Sequence, residues 1–203
     1  MSKRTLTMMA AALILAAMLT GCSKAPVEAV QSAENALKAV EAAGAAQYAP
    51  AELTAANEAM ARLQAELAAQ DGKMSLMRRY GTAAELAVAA QSAADNALAE
   101  TNAAKGRARA AAVDHIAAAT ELLATVKPML AAAPRGKGSE ADLKILEADL
   151  AAVDGTLAEA QALVDSGDFI GADAKATAAT QSINDVKGAI EAAAALKAQA
   201  AKR

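Results

Sequence analysis

The chain has 203 residues, with 20 Lys+Arg against 23 Asp+Glu, one cysteine, one histidine, no tryptophan and 65 alanines. The mildly acidic balance argues against nucleic acid as a partner. There is no second cysteine for an internal disulfide and no second histidine for a zinc or transition-metal pair. The 55% hydrophobic content is largely alanine, the best helix former but a residue that buries little area. Long helices around a thin core follow, with little apolar or aromatic material to line a small-molecule pocket.

Met1-Ser2-Lys3-Arg4 is a short basic segment, and Leu6 to Leu19 is an apolar run. Together they have the form of a secretory signal. The run is shorter than the ~20 residues a mature membrane span needs. It ends in Thr20 and Gly21, directly before Cys22. Leu19-Thr20-Gly21-Cys22 resembles the lipobox of bacterial lipoproteins. That resemblance implies cleavage between Gly21 and Cys22, a diacylglycerol on the Cys22 thiol and an N-acyl chain on the new terminus, with no other cofactor. Two or three acyl chains hold a protein stably on a membrane. The alternative, a buried or reactive free thiol, leaves an odd cysteine in an exported chain unexplained. Ser23, after the cysteine, resembles lipoproteins sorted to the outer rather than the inner membrane. The expected address is the cell envelope, facing the periplasm. Without residues 1–21 the chain has 182 residues and a net charge of −5.

Residues 22–26 read as a lipidated tether, and Val27, Val30, Leu37 and Val40 as one face of a helix that ends near Gly44. Pro50 and Glu52 suit the first turn of the next helix. Its stripe Leu53, Ala56, Met60, Leu63, Leu67 has the alternating steps of a bundle seam, up to a break at Asp71-Gly72. A long helix is expected from near Met74 to Ala132, about 85 Å if uninterrupted. Its apolar points are Met77, Leu86, Leu98, Val113, Ile116, Leu123 and Leu130. Gly81 and Gly106 weaken it, and Pro128 lies in its last turns. "APRGKGSE" reads as a linker over 133–139, with Ser139 and Asp142 as a capping pair. The regular heptad Leu143, Leu146, Leu150, Val153, Leu157, Ala160, Val164 follows, stopping at "DSGD". The last helix carries Ile183, Val186, Ile190 and Ala193 before a polar tail. The fold class is therefore all-α, an alanine-rich antiparallel bundle of about five helices. A first helical region covers 27–132 and a C-terminal hairpin covers 140–198.

Two stretches echo each other. Aligning Tyr80 with Phe169 brings Ala83 onto Ala172, Ala87 onto Ala176 and Ala90 onto Ala179. Each follows an amphipathic helix and a Gly/Asp turn, which reads as two helical hairpins on one plan. Two copies are too few for a solenoid. Residues 28–104 also resemble a family of bacterial envelope lipoproteins with a small helical domain of uncharacterised function. Gly44, Ala45, Tyr48, Ala49, Pro50 and Leu53 carry the likeness. The family's Gly-Asp turn before an aromatic is altered here to the longer "DGKMSLMRR", residues 71–79. The resemblance implies a helical fold and an envelope address, not an activity.

No residue set points to catalysis, and the chain reads as a non-enzyme. His115 is expected to be partly exposed beside Asp114, with no nucleophile to activate. Met74 and Met77 could share a helix face as copper ligands, although such a pair more often fills core space. "GKGSE" lacks the spacing of a phosphate loop. Basic residues gather at Arg78-Arg79, at Lys105, Arg107 and Arg109, and at Arg135 with Lys137. Lys105 and Arg109, one turn apart, form a candidate patch for anionic headgroups or cell-wall polymer, weighed against an ordinary solvated face. Two functions remain. One is a structural or interaction lipoprotein that binds an envelope protein or itself through its heptads. The other is a lipid- or peptidoglycan-binding lipoprotein.

Overall fold

The computed structural model describes residues 24–133 and 140–200. Gly21, Cys22, Arg135, Lys137 and the capping Ser139 lie outside them. The described chain is helical throughout. The elements are α1 (Val27–Ala42), α2 (Ala45–Tyr48), α3 (Pro50–Asp71), a 3-10 turn (Ser75–Met77), α4 (Gly81–Ala131), α5 (Glu140–Ser166) and α6 (Phe169–Ala200). None of the described helices is long and apolar enough to cross a membrane.

Helix ends follow the local sequence. Gly44 takes a left-handed φ of 79° and its N–H donates to the Glu41 carbonyl, closing α1. The Gly44 carbonyl in turn accepts from Gln47 and Tyr48, which starts the single turn of α2. Pro50 opens α3, where a missing N–H costs nothing. Between α5 and α6, Gly167 has φ 88°. Its N–H donates to the Val164 carbonyl and that of Asp168 to the Leu163 carbonyl, the paired bonds of a Schellman stop. Asp168 then caps α6, its Oδ1 accepting from the Gly171 N–H at 3.0 Å. A side chain at Gly171 would run into that carboxylate, its Cβ 2.3 Å from Oδ2.

The chain divides into two compact units, Met1–Ala104 and Lys105–Arg203. The division falls inside α4 rather than at the expected linker, because residues from Ala112 onward pack with α5 and α6. In the first unit the core joins Ala33 and Val40 of α1, Met60 and Leu63 of α3, and Ala83, Ala87, Ala90, Ala94 and Ala97 of α4. In the second, Ala119, Leu123, Val126 and Leu130 of α4 meet Leu150, Val153 and Leu157 of α5 and Ile183, Val186 and Ile190 of α6. The first core therefore sets bulky residues of α3 against an alanine face of α4, and the second packs large aliphatics on all three helices. Thr101 is buried within α4, its hydroxyl satisfied by the Ala97 carbonyl at 2.7 Å.

The expected echo is present as burial. Ala83, Ala87 and Ala90 are buried, as are Ala172, Ala176 and Ala179. The correspondence then runs on at the same offset, with Ala94, Ala97 and Thr101 matching Ile183, Val186 and Ile190, all of them buried. Both heptads, over 53–67 and 143–164, also face the cores of their own units.

Several expectations need correcting. The long helix starts at Gly81, not Met74, since residues 72–80 form a turn fastened by side chains. The described helices number six, in line with the expected bundle of about five, the extra one being the single turn of α2. Val27 is 67% exposed, and Ala33 takes the core position on α1. On α4, Val113 is exposed and Leu86, Leu98 and Ile116 only flank the core, whose centre is alanine in the first unit. The last helix does not give way to a polar tail near 198 but continues to Ala200, and residues 191–199, Ala193 included, are exposed.

Candidate functional site

The most differentiated surface lies where the two hairpins differ. The second closes with Gly167-Asp168. The first has residues 72–80 in the same place. Two ends of this longer turn are tied to α3. The buried Gln70 side chain accepts the Arg79 N–H on Oε1 at 3.0 Å, and its Nε2 donates to Glu66 Oε1 at 2.7 Å. Tyr80, 4% exposed in the first core, donates its hydroxyl to Asp71 Oδ1 at 2.9 Å. Arg78 folds back over the turn, donating from Nε to the Lys73 carbonyl and from Nη2 to the Asp71 carbonyl, both at 3.0 Å. Its Nη1 also stands 3.9 Å from Asp71 Oδ1.

The fastening leaves the middle of the turn outside. Met74 is 74% exposed, Leu76 99% and Met77 62%. The methionines thus neither fill core space nor sit on a shared helix face, because Met74 precedes the 3-10 turn and Met77 ends it. Lys73 and Arg79 are exposed on either side of them. An open recess of about 450 Å³ lies beside the turn, lined by Ala25, Val27 and Val30 together with Leu67, Asp71 and Tyr80. The start of α1 and the 72–80 turn therefore occupy the same end of the first unit.

The bond to Asp71 is the main reason, with burial second, that Tyr80 titrates above its ordinary value of 10.0. The Asp71 charge adds to the effect and Arg78 opposes it. A proton held more tightly in the folded state stabilises the fold below the unfolded tyrosine pKa, and that stabilisation is lost as pH rises through the raised folded value. Tyr80→Phe is therefore expected to flatten the fall in urea midpoint between about pH 9 and pH 11. Urea titrations at stepped pH, followed by circular dichroism, check this. A second expected result concerns the tie itself. Gln70→Ala leaves the Arg79 N–H without its acceptor, and trypsin should cut after Lys73, Arg78 or Arg79 roughly 5-fold faster, equivalent to about 1 kcal/mol of easier local opening. A time course read by mass spectrometry measures it.

The other expected residues are elsewhere. Lys105 and Arg109 stand one turn apart on α4, Lys105 half-buried and Arg109 exposed, and Lys105 and Arg107 each have interaction partners. His115 is exposed and pairs with Asp173 of α6, not with Asp114. With the ion pairs Lys127–Asp154 at 2.8 Å and Lys175–Glu159, this hydrogen bond links the three helices of the second unit two by two. Such exposed pairs contribute little stability. An open apolar recess of about 370 Å³ lies between α5 and α6, with Leu143, Ile145, Leu146 and Ile190 in its wall. Among the described residues no cluster of three or more His, Cys, Asp or Glu could hold a metal ion. No buried side-chain polar atom among them lacks a hydrogen-bond partner.

Sequence reasoning missed the 72–80 turn as a site. One signal was present, since "KMSLMRR" sets three large apolar residues among three basic ones exactly where the echo of the second hairpin is interrupted. No protein-family profile, curated protein or solved structure matches this chain.

Proposed function

We propose that this protein is a lipoprotein of the bacterial cell envelope, anchored through acyl groups on Cys22 and facing the periplasm, with a structural or protein-interaction role. The observation that carries the reading is Leu19-Thr20-Gly21-Cys22 at the end of a basic and then apolar leader. Ser23 favours the outer membrane by resemblance.

Both heptads, the contact surface expected from the sequence, are used within their own units. A partner, or a second copy of the chain, would therefore meet other surfaces. The end of α6 is one, since it continues past Ile190 with every described side chain exposed and Leu196 at 67%. The second reading, a lipid-binding bundle, draws on the apolar recess between α5 and α6.

Cys22→Ala is expected to abolish acylation and leave the precursor uncut at Gly21. Intact mass and metabolic labelling with a fatty acid would show it, and normal processing of the variant would sink the anchor. Crosslinking in native envelopes with sedimentation of the purified protein tests the interaction role. A compact monomer with no crosslinked partner counts against it. Lipid released from gently purified protein would favour the second reading.

A further inference from the structure

We propose that the 72–80 turn is a second membrane contact, a fixed apolar and basic corner that rests on the anionic lipid surface beside the acyl anchor. The proposal builds on the anchored reading above. Three observations carry it.

The first is chemistry. Among the described residues of the first unit, five large apolar side chains are exposed, and four of them, Val27, Met74, Leu76 and Met77, belong to this end. Apolar side chains beside cations match a bilayer interface, where the former enter the acyl boundary and the latter meet phosphate. Lys73 and Arg79 frame the methionines, and the exposed Lys24 precedes α1. The nearest acid, Asp71, is engaged by Tyr80 and Arg78. Glu28 and Glu34 are the exposed acids of the adjoining α1, Glu34 in the wall of the recess, so the cations and apolar side chains must outweigh them.

The second is reach. Five residue steps separate Cys22 from Val27, at most about 18 Å of extended chain. Acyl groups on Cys22 would hold the start of α1 that close to the lipid. The shared recess shows that the 72–80 turn lies at this same end.

The third is rigidity. Gln70, Arg78 and Tyr80 fasten the backbone while the apolar tips stay outside. A surface already ordered loses little conformational freedom on contact. The second hairpin, built on the same burial pattern, has only Gly167-Asp168 at this place.

The test uses the full chain purified from membranes and reconstituted into vesicles. Leu76→Cys carries an environment-sensitive fluorophore, with the exposed Val88 of α4 (64%) changed to Cys as the comparison site. Neither substitution touches the core. Peptide masses verify the labelled position and report the state of Cys22. In vesicles containing phosphatidylglycerol the probe at 76 is expected to shift to the blue and to be quenched several-fold by spin-labelled acyl chains, while the probe at 88 is not. Pure phosphatidylcholine should weaken the effect, as should the double change Lys73→Glu and Arg79→Glu.

A probe at 76 as accessible to water as the one at 88, on an acylated chain, overturns the corner and leaves the anchor standing. Quenching at 76 on a chain with no acyl mass on Cys22 sustains the corner and overturns the anchor. Protection at 76 in native membranes without quenching by lipid-borne spin labels means that a protein covers this surface, and it overturns the proposal.

Discussion

Leu63→Ala is expected to destabilise the first unit by about 2–5 kcal/mol, a fall of roughly 8–40 °C in the melting temperature of a unit of this size. Leu63 is fully buried, and the α4 side of its cluster is Ala83, Ala87 and Ala90. Alanines have no flexible side chain with which to collapse into the space a leucine leaves. Met60, Leu67 and Leu86 border the same cluster, and how far they move into the space decides where in the range the loss falls. No disulfide is available in a chain with one cysteine to limit the damage. Thermal melts followed by circular dichroism at the helix band would measure it, with Ala89→Leu on the exposed face of α4 as a neutral comparison.

Ala87→Leu is the complementary experiment, since it adds bulk where the fold has none. Ala87 has no solvent exposure and belongs to the cluster that holds Met60, Leu63 and Ala33. A helix packed on an alanine face lies close, because the side chains at the contact set the distance between axes. Leucine at this position must push α3 or α1 away, at about 1–3 kcal/mol. Leucine has nearly alanine's helix propensity, so local preference plays no part in the loss. Urea unfolding reads both the midpoint and the slope, and a lowered midpoint with an unchanged slope identifies lost stability without a change in compactness.

These two substitutions mark where the sequence was readable and where it was not. Helix ends were legible because Gly44, Pro50 and Gly167-Asp168 act through backbone freedom and caps over a few residues. The heptad of α5 was legible because its core positions, Ala160 apart, are leucine or valine at regular three- and four-residue steps. On α4 the same reading takes Leu123 and Leu130, which are buried in the second core, but also Leu86, Leu98 and Val113. The last three lie at the flank or on the surface, and in the first unit the alanines form the centre. A bulky residue attracts the eye, but a close partner helix requires a small one, and that closeness is a property of α1 and α3. The Tyr80 and Phe169 alignment succeeded because it compared alanines with alanines and did not rank them by size.

The candidate corner shows the same limit. "KMSLMRR" was visible as methionines and arginines, yet as the start of a long helix it pointed to a shared helical face. The outcome depends on Gln70 reaching Arg79 and Asp71 reaching Tyr80, bonds across nine residues each. Local propensity does not contain such bonds.

The sequence alone determined that the described chain is helical, where most of its helices stop, and that the two hairpins share a register. These are matters of spacing, caps and composition, each settled over a turn or two of chain. Only the tertiary structure decided that the two units divide within α4, that both heptads are used internally, and that Met74, Leu76 and Met77 stand outside beside the start of α1. Each of these depends on which helix faces which, and that is set by contacts between residues far apart in the chain.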